Sequence, residues 1–270
     1  VGYTQSNSKK NVSSTLLKAD KLYSKGGYNK AKRIYLSDTN NLNATQLFRL
    51  AGTWVVGKQK NLAEAFRWYY KSAMAGNDSG MYNVGYFYTT DSIGPHNYNL
   101  AMEWFLKSAE KGNGRAMDDI GFIYKDGLGV KVSYSEALKW FRKSAETGFV
   151  PGICHVGTIL VKRDSPYYNP EEALKLYRIA EKKKFPAASL NIGEMYHFGF
   201  GVQQSYRLAL RYFKKAAKHH IPIAKRYIGN YYEKGYGVRK NLDEARKWYQ
   251  QGATEGDTKS KYLLEKLPKM

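Results

Sequence analysis

A period of 36 residues, kept without insertion across six copies, constrains this chain more than any other feature. Alanine is followed three residues later by an aromatic pair at Ala65/Trp68-Tyr69, Ala101/Trp104-Phe105 and Ala137/Trp140-Phe141. The pattern returns at Ala173/Leu176-Tyr177, Ala209/Tyr212-Phe213 and Ala245/Trp248-Tyr249. Small residues keep the same phase at Gly80, Ala116, Gly152, Ala188, Ala224 and Ser260. Five residues further on stand Gly85, Gly121, Gly157, Gly193 and Gly229, each preceded by Val or Ile. Three residues after those glycines come Tyr88, Tyr124, Leu160, Tyr196 and Tyr232, and the tyrosines of these columns, with Tyr69, Tyr177 and Tyr249, read as core. So many columns in phase mean that each unit is one supersecondary element, which buries its apolar face only by stacking on its neighbours.

Each unit reads as two helices. Asn61, Asn97, Ser133, Asn169, Ser205 and Asn241 stand four residues before the alanine column. All six are residue types whose side-chain oxygen accepts a free first-turn N–H. Glu64, Glu136, Glu172 and Glu244 follow three residues later, and the Ser133–Glu136 pair meets the capping-box pattern. The first helix is expected from about Leu62 to Ala75, with Ala65, Trp68, Tyr69 and Ala73 on one face. Gly76, Gly112, Gly148 and Gly256 end it. Lys184 and His220 replace that glycine in two copies, so a different cap is expected there. The second helix is expected from about Asp78 to Thr90. A glycine inside a helix costs about 1 kcal/mol against alanine. Bearing that cost in phase implies that the missing side chain serves close packing. Gly127-Leu128-Gly129-Val130, Gly199-Phe200-Gly201-Val202 and Gly235-Tyr236-Gly237-Val238 close this helix, while the loops at 89–97 and 162–166 lack the glycine pair.

The columns from the alanine and aromatic pair through Gly-x-Gly-Val resemble Sel1-like repeats, a branch of the tetratricopeptide class, over residues 61–267. Residues 13–60 resemble an ordinary tetratricopeptide unit, with Ala19, Leu22, Gly26, Tyr28, Ala31 and Tyr35 at matching offsets and a joining helix at about 44–56. A closing helix is expected at about 257–267, stopped by Pro268. Residues 1–12 read as a flexible basic segment. The fold expected is all-α, a right-handed α-solenoid superhelix of antiparallel helix pairs.

Charge narrows the partner class. The chain is formally +21, and the excess sits at the ends: +9 over residues 1–60, +2 over 61–200 and +10 over 201–270. Such ends attract anionic surfaces. A neutral middle interrupts any continuous nucleic-acid track, so nucleic acid is disfavoured. No apolar run is long enough for a transmembrane helix. The first residue is Val1 rather than Met, which favours an exported or periplasmic setting over a cytoplasmic one.

Motifs that could carry chemistry have simpler readings. Gly-x-Gly-Val follows a helix, not the strand that a dinucleotide fingerprint needs. Cys154 and His155 are adjacent and point about 100° apart on a helix, so they do not form a dyad. His219 and His220 sit at a helix end among lysines, where cations complement the dipole. Asp118-Asp119 reads as surface charge, and Glu171-Glu172 as first-turn and capping residues. No catalytic residue, metal or cofactor is expected, and the chain reads as a non-enzyme.

The Sel1-like resemblance implies an adaptor or scaffold, often bacterial and exported, whose glycine-bearing helices line a concave groove. Carried to this chain, groove positions one past the glycine are Tyr86, Phe122, Thr158, Glu194 and Asn230. Three before it are Tyr82, Asp118, Cys154, Leu190 and Arg226, and four past it are Thr89, Lys125, Val161, His197 and Glu233. The candidate partner-binding set is Tyr82, Tyr86, Asp118, Phe122, Lys125, Glu194, His197, Arg226, Asn230 and Glu233. Tyr82, Tyr86, Phe122 and Tyr262 also lie off the repeat columns, so packing does not account for them. A protein partner with an acidic surface suits the charge. The alternative is a bacterial immunity-type protein that neutralises a secreted effector enzyme, such as a lipase toxin.

Overall fold

The computed structural model describes residues 14–56 and 60–268; the segment expected to be flexible at 1–12 lies outside them. Every regular element among the described residues is a helix. The chain divides into two compact units, residues 1–132 and 133–270. The first holds α1 (Ser14–Ser24), α2 (Tyr28–Ser37), α3 (Ala44–Val55), α4 (Leu62–Met74), α5 (Asp78–Tyr88), α6 (Tyr98–Glu110) and α7 (Gly114–Asp126). The second holds α8 (Tyr134–Glu146), α9 (Val150–Leu160), α10 (Pro170–Lys182), α11 (Pro186–Phe198), α12 (Tyr206–Ala217), α13 (Pro222–Lys234), α14 (Leu242–Thr254) and α15 (Thr258–Lys266). Within each unit every helix packs on the next along the chain.

The alanine column is the centre of each pair. Ala65, Ala101, Ala137, Ala173, Ala209 and Ala245 are all fully buried. The two rings that follow are not equivalent. The second is buried in all six copies: Tyr69, Phe105, Phe141, Tyr177, Phe213 and Tyr249. The first is buried at Trp68 and Trp104 but only half-buried at Trp140, Tyr212 and Trp248. The glycine column explains why the second ring matters. A Cβ placed on Gly85 would lie 2.7 Å from the Phe105 ring, and one on Gly193 2.6 Å from that of Phe213. Gly157 and Gly229 stand in the same relation to Tyr177 and Tyr249. Each glycine is thus a notch that seats the aromatic of the following repeat. α15 carries Glu265, exposed, at the corresponding position.

A second small-residue contact sits beside it. A Cβ on Gly80 would meet Ser72 Oγ at 2.8 Å, and one on Gly152 would meet Ser144 Oγ at 2.5 Å. Ser72 and Ser108 are fully buried, and their hydroxyls donate to the carbonyls of Ala44 (2.7 Å) and Asp78 (2.8 Å). Small size here lets two helices approach, and the hydroxyl satisfies itself on a neighbouring backbone.

Several expectations need correction. Tyr88, Tyr124, Tyr196 and Tyr232 are half-buried, not core. The buried column lies one residue earlier, at Phe87, Ile123, Ile159, Met195 and Tyr231. All six expected N-caps accept the backbone N–H three residues on. The reciprocal capping box forms at Asn43 and Gln46 rather than at Ser133. Lys184 and His220 do not change the turn geometry. They adopt the left-handed conformation of the glycines they replace, at φ 60° and 55° against 87° for Gly148. α9, α11 and α13 carry Pro151, Pro186 and Pro222 at their first or second position and lack the Asn cap of α5 and α7.

The first three helices are joined by a polar node. Asp20 accepts from the Tyr35 hydroxyl at 2.6 Å and from Gln46 Nε2 at 3.1 Å, and pairs with Arg49 at 2.6 Å. Burial first, and then the hydrogen bond to Asp20, push the Tyr35 hydroxyl pKa up.

Candidate functional site

In the first unit, α5 and α7 present Tyr82, Tyr86, Asp118, Phe122 and Lys125. Tyr82 is half-buried, its ring stacked on Phe105 at 5.6 Å and on Tyr86 at 6.3 Å. The Arg115 guanidinium lies 5.5 Å from the Tyr82 ring centroid. Its hydroxyl is hydrogen-bonded to Asp119; burial, followed by that carboxylate, raises its pKa. Tyr82 is therefore the fixed middle of a stack, and Tyr86 is its outer member, 48% exposed. Phe122 is half-buried, with Lys125 Nζ 5.2 Å from its ring centroid and 2.6 Å from Asp126 Oδ1. Asp118 departs from expectation. It is buried, as are Cys154 and Leu190 in the same column, so this position faces the interior in all three copies. Position alone could not reveal this, because the same column holds exposed-type and core-type residues.

In the second unit, α11 and α13 present Glu194, His197, Arg226, Asn230 and Glu233, and all five have intramolecular partners. Tyr227 donates to Glu194 Oε1 at 2.9 Å while its ring lies face to face with Phe213 at 4.4 Å. Burial holds the Glu194 carboxyl above the ordinary range, against the opposing pull of Tyr227 and Arg226. His197 Nδ1 is 2.7 Å from the Tyr231 hydroxyl, and its ring packs near Tyr206, Tyr227 and Tyr231. Burial lowers its pKa, since a cation there would lose water. Arg226 pairs with Asp257, the N-cap of α15, at 2.9 Å. Glu233 accepts from the Tyr249 hydroxyl at 2.8 Å and pairs with Lys234 at 2.7 Å. Burial would raise the Glu233 pKa, but those two hydrogen bonds win and it falls. Asn230 also hydrogen-bonds to Tyr249.

Tyr262 is exposed, as its place off the repeat columns suggested, but another open aromatic of this unit was not among the expected residues. Phe198, 47% exposed, stacks on Phe200 at 5.3 Å, and the Arg163 guanidinium lies 4.7 Å from the Phe200 ring. The pair borders a recess of about 120 Å³ that also includes Val161, Met195, Tyr177 and the Glu194 side chain. A signal existed in the sequence. Phe198 stands where the other two Gly-x-Gly copies carry Asp126 and Lys234, so an apolar residue replaces charge at a loop mouth.

The other motifs resolve as structure. Cys154 is buried, and His155 packs its ring on Phe141 at 5.3 Å. Among the described residues no cluster of His, Cys, Asp and Glu is arranged to hold a metal ion. Among the same residues no helix is long and apolar enough to cross a membrane.

The geometry matches known proteins of one kind. A Sel1 repeat protein from Oxalobacter formigenes shares the fold with a TM-score of 0.81 at 24% identity, over 89% of this chain and 97% of that one. The protein c5321, a protective antigen present in uropathogenic Escherichia coli strains and displaying an SLR fold, superposes at 0.70 with 25% identity. That match covers 86% of this chain and 50% of the other. The immunity protein Pa5087 from Pseudomonas aeruginosa shares the fold at 0.55 with 16% identity, over 81% of this chain and 86% of its own. No curated protein matches in sequence. The Sel1 repeat is matched at residues 46–77, 78–113, 114–149, 156–184, 186–220 and 222–257. With six repeats over most of its length and buried glycine and alanine columns in phase, the chain belongs to the Sel1 repeat family, whose members are protein-interaction modules.

Proposed function

We propose that this protein is a non-enzymatic adaptor or scaffold that binds a protein partner through its glycine-bearing helices. The observation that carries the reading is Tyr86. It is an exposed ring backed by Tyr82 and Phe105 in a continuous stack. A large aromatic held rigid by its neighbours binds at low entropic cost, which is what interface anchors require. Phe198 beside the Glu194 recess gives the second unit an anchor of the same kind. The buried Asp118 drops out of the contact set, and Phe122 and Lys125 on α7 stay in it.

The partner's chemistry follows from charge. At +21 the protein favours an acidic surface and encounters it by long-range attraction. The immunity-type reading uses the same anchors with an effector enzyme as the partner, and loss of that enzyme's activity on binding is its signature.

The test is affinity capture with mass spectrometry, comparing the native chain with Tyr86→Ala and Phe198→Ala. The expected result is a partner captured by the native chain whose affinity falls by about 2–4 kcal/mol in Tyr86→Ala, while the thermal midpoint barely moves. A partner retained equally by both variants overturns this placement of the anchors.

A further inference from the structure

The aromatic-bearing helices carry their own surface, and one of them is unlike the rest. α4, α6, α8, α10 and α14 each contain acidic residues, whereas α12 contains none. Instead α12 and its C-terminal turn carry Arg207, Arg211, Lys214, Lys215 and Lys218, all exposed. The spacing is i, i+4, i+7, i+8 and i+11, which puts the five cations along one face over roughly 17 Å. They line an open cleft of about 720 Å³ floored by Leu210 and Tyr212, with Glu181 of α10 as its one acid. Glu181 is engaged already, accepting from Lys215 at 2.8 Å and Ser189 at 3.1 Å. That leaves Arg207, Arg211, Lys214 and Lys218 without an ion-pair partner in the cleft, Lys214 donating instead to the Tyr232 hydroxyl at 3.2 Å.

The corresponding face of α8 shows what a balanced surface looks like. There Lys139 pairs with Glu136 at 3.4 Å and Arg142 with Glu172 at 3.2 Å. α14 balances itself too, with Lys247 on Glu244 at 2.9 Å. The α12 surface thus departs from its own repeat in charge but not in shape.

We propose that the cleft between α10 and α12 is a docking site for a short acidic peptide segment. The cation row matches about five residues of extended chain, and Arg207 and Arg211 offer forked donors suited to carboxylates. A nucleic acid fits less well. The row ends within one helix, and the cleft's aromatic, Tyr212, is already stacked on Tyr196 at 5.7 Å. The inference rests on the family's protein-binding role but not on the Tyr86 and Phe198 anchors, so loss of either site leaves the other testable.

The experiment uses the full chain and a fluorescent decaglutamate peptide followed by anisotropy. Binding is expected at about 50 mM salt and should weaken progressively towards about 500 mM. Arg207→Gln with Arg211→Gln and Lys218→Gln should weaken it roughly tenfold. The control triple Lys139→Gln, Arg142→Gln and Lys143→Gln removes the same net charge and should change it less than about twofold. A photo-cross-linking version of the peptide should label residues 175–218 of the unmodified chain, a readout that needs no variant. Equal losses in both triples, cross-links confined to the first unit, or a single-stranded oligothymidylate that binds the cleft more tightly than the peptide would each overturn the proposal.

Discussion

Lys184 holds a conformation that L-residues avoid, with φ at 60° in a turn that glycine serves elsewhere in the chain. Lys184→Gly should relieve that strain and raise stability by roughly 0.5–1 kcal/mol, readable from urea unfolding. His220→Gly should gain less. The His220 ring sits 2.8 Å from Glu255, a contact that glycine cannot make. Glu194 is the other residue under tension. Its folded pKa lies above its unfolded one, so the folded chain binds that proton more tightly. Folding is then favoured as pH falls through the folded value, and the contribution is lost as pH rises through it. Glu194→Gln, which mimics the protonated form, should be more stable than the native chain at pH about 7 and equal to it near pH about 4. Urea melts at the two pH values check this, and a constant difference between them would exclude the burial effect. Neither feature was fully legible beforehand. The substitution at Lys184 was visible, but whether the backbone would bend around it depended on neighbours that hold the turn.

Between the two rings of each aromatic pair, burial decides which one stabilises its helix. Phe141 is fully buried, while Trp140 is half-buried with Lys143 Nζ 4.4 Å from its ring. Phe141→Ala should cost about 3–5 kcal/mol, and Trp140→Ala distinctly less, since part of its ring already faces water. Thermal or urea unfolding of the two variants separates them, and the reverse order would contradict the packing described. Helix positions were legible almost to the residue. α4 begins at Leu62 and α5 at Asp78 as the Asn caps imply, and α3 spans Ala44–Val55. Identity columns such as Gly85 or Ala65 also stand out by eye. The core column at Phe87, Ile123, Ile159, Met195 and Tyr231 escaped because it keeps apolarity without keeping a residue type. Asp118 and Phe198 were misjudged for a different reason: exposure depends on what the adjacent helix places beside a side chain.

At the scale of the molecule, stability within each unit is built from contacts between sequential helices. A lesion should therefore stay local. Phe213→Ala removes the ring seated against Gly193, so amide hydrogen exchange should quicken in α11–α13. Protection in α3–α5 should stay within about twofold of the native chain. Uniform acceleration across the chain would mean that it unfolds as one block. The seating of rings in glycine notches also gives the array a polarity. At Gly85, Gly157, Gly193 and Gly229 the socket of one repeat holds the ring of the next, so within each unit the order of repeats runs one way. At the same phase of α15 stands Glu265, exposed and charged, where the preceding copies carry glycine. A carboxylate offers no hollow for a ring, so the socket that recurs at the earlier glycines is not repeated at this phase of α15.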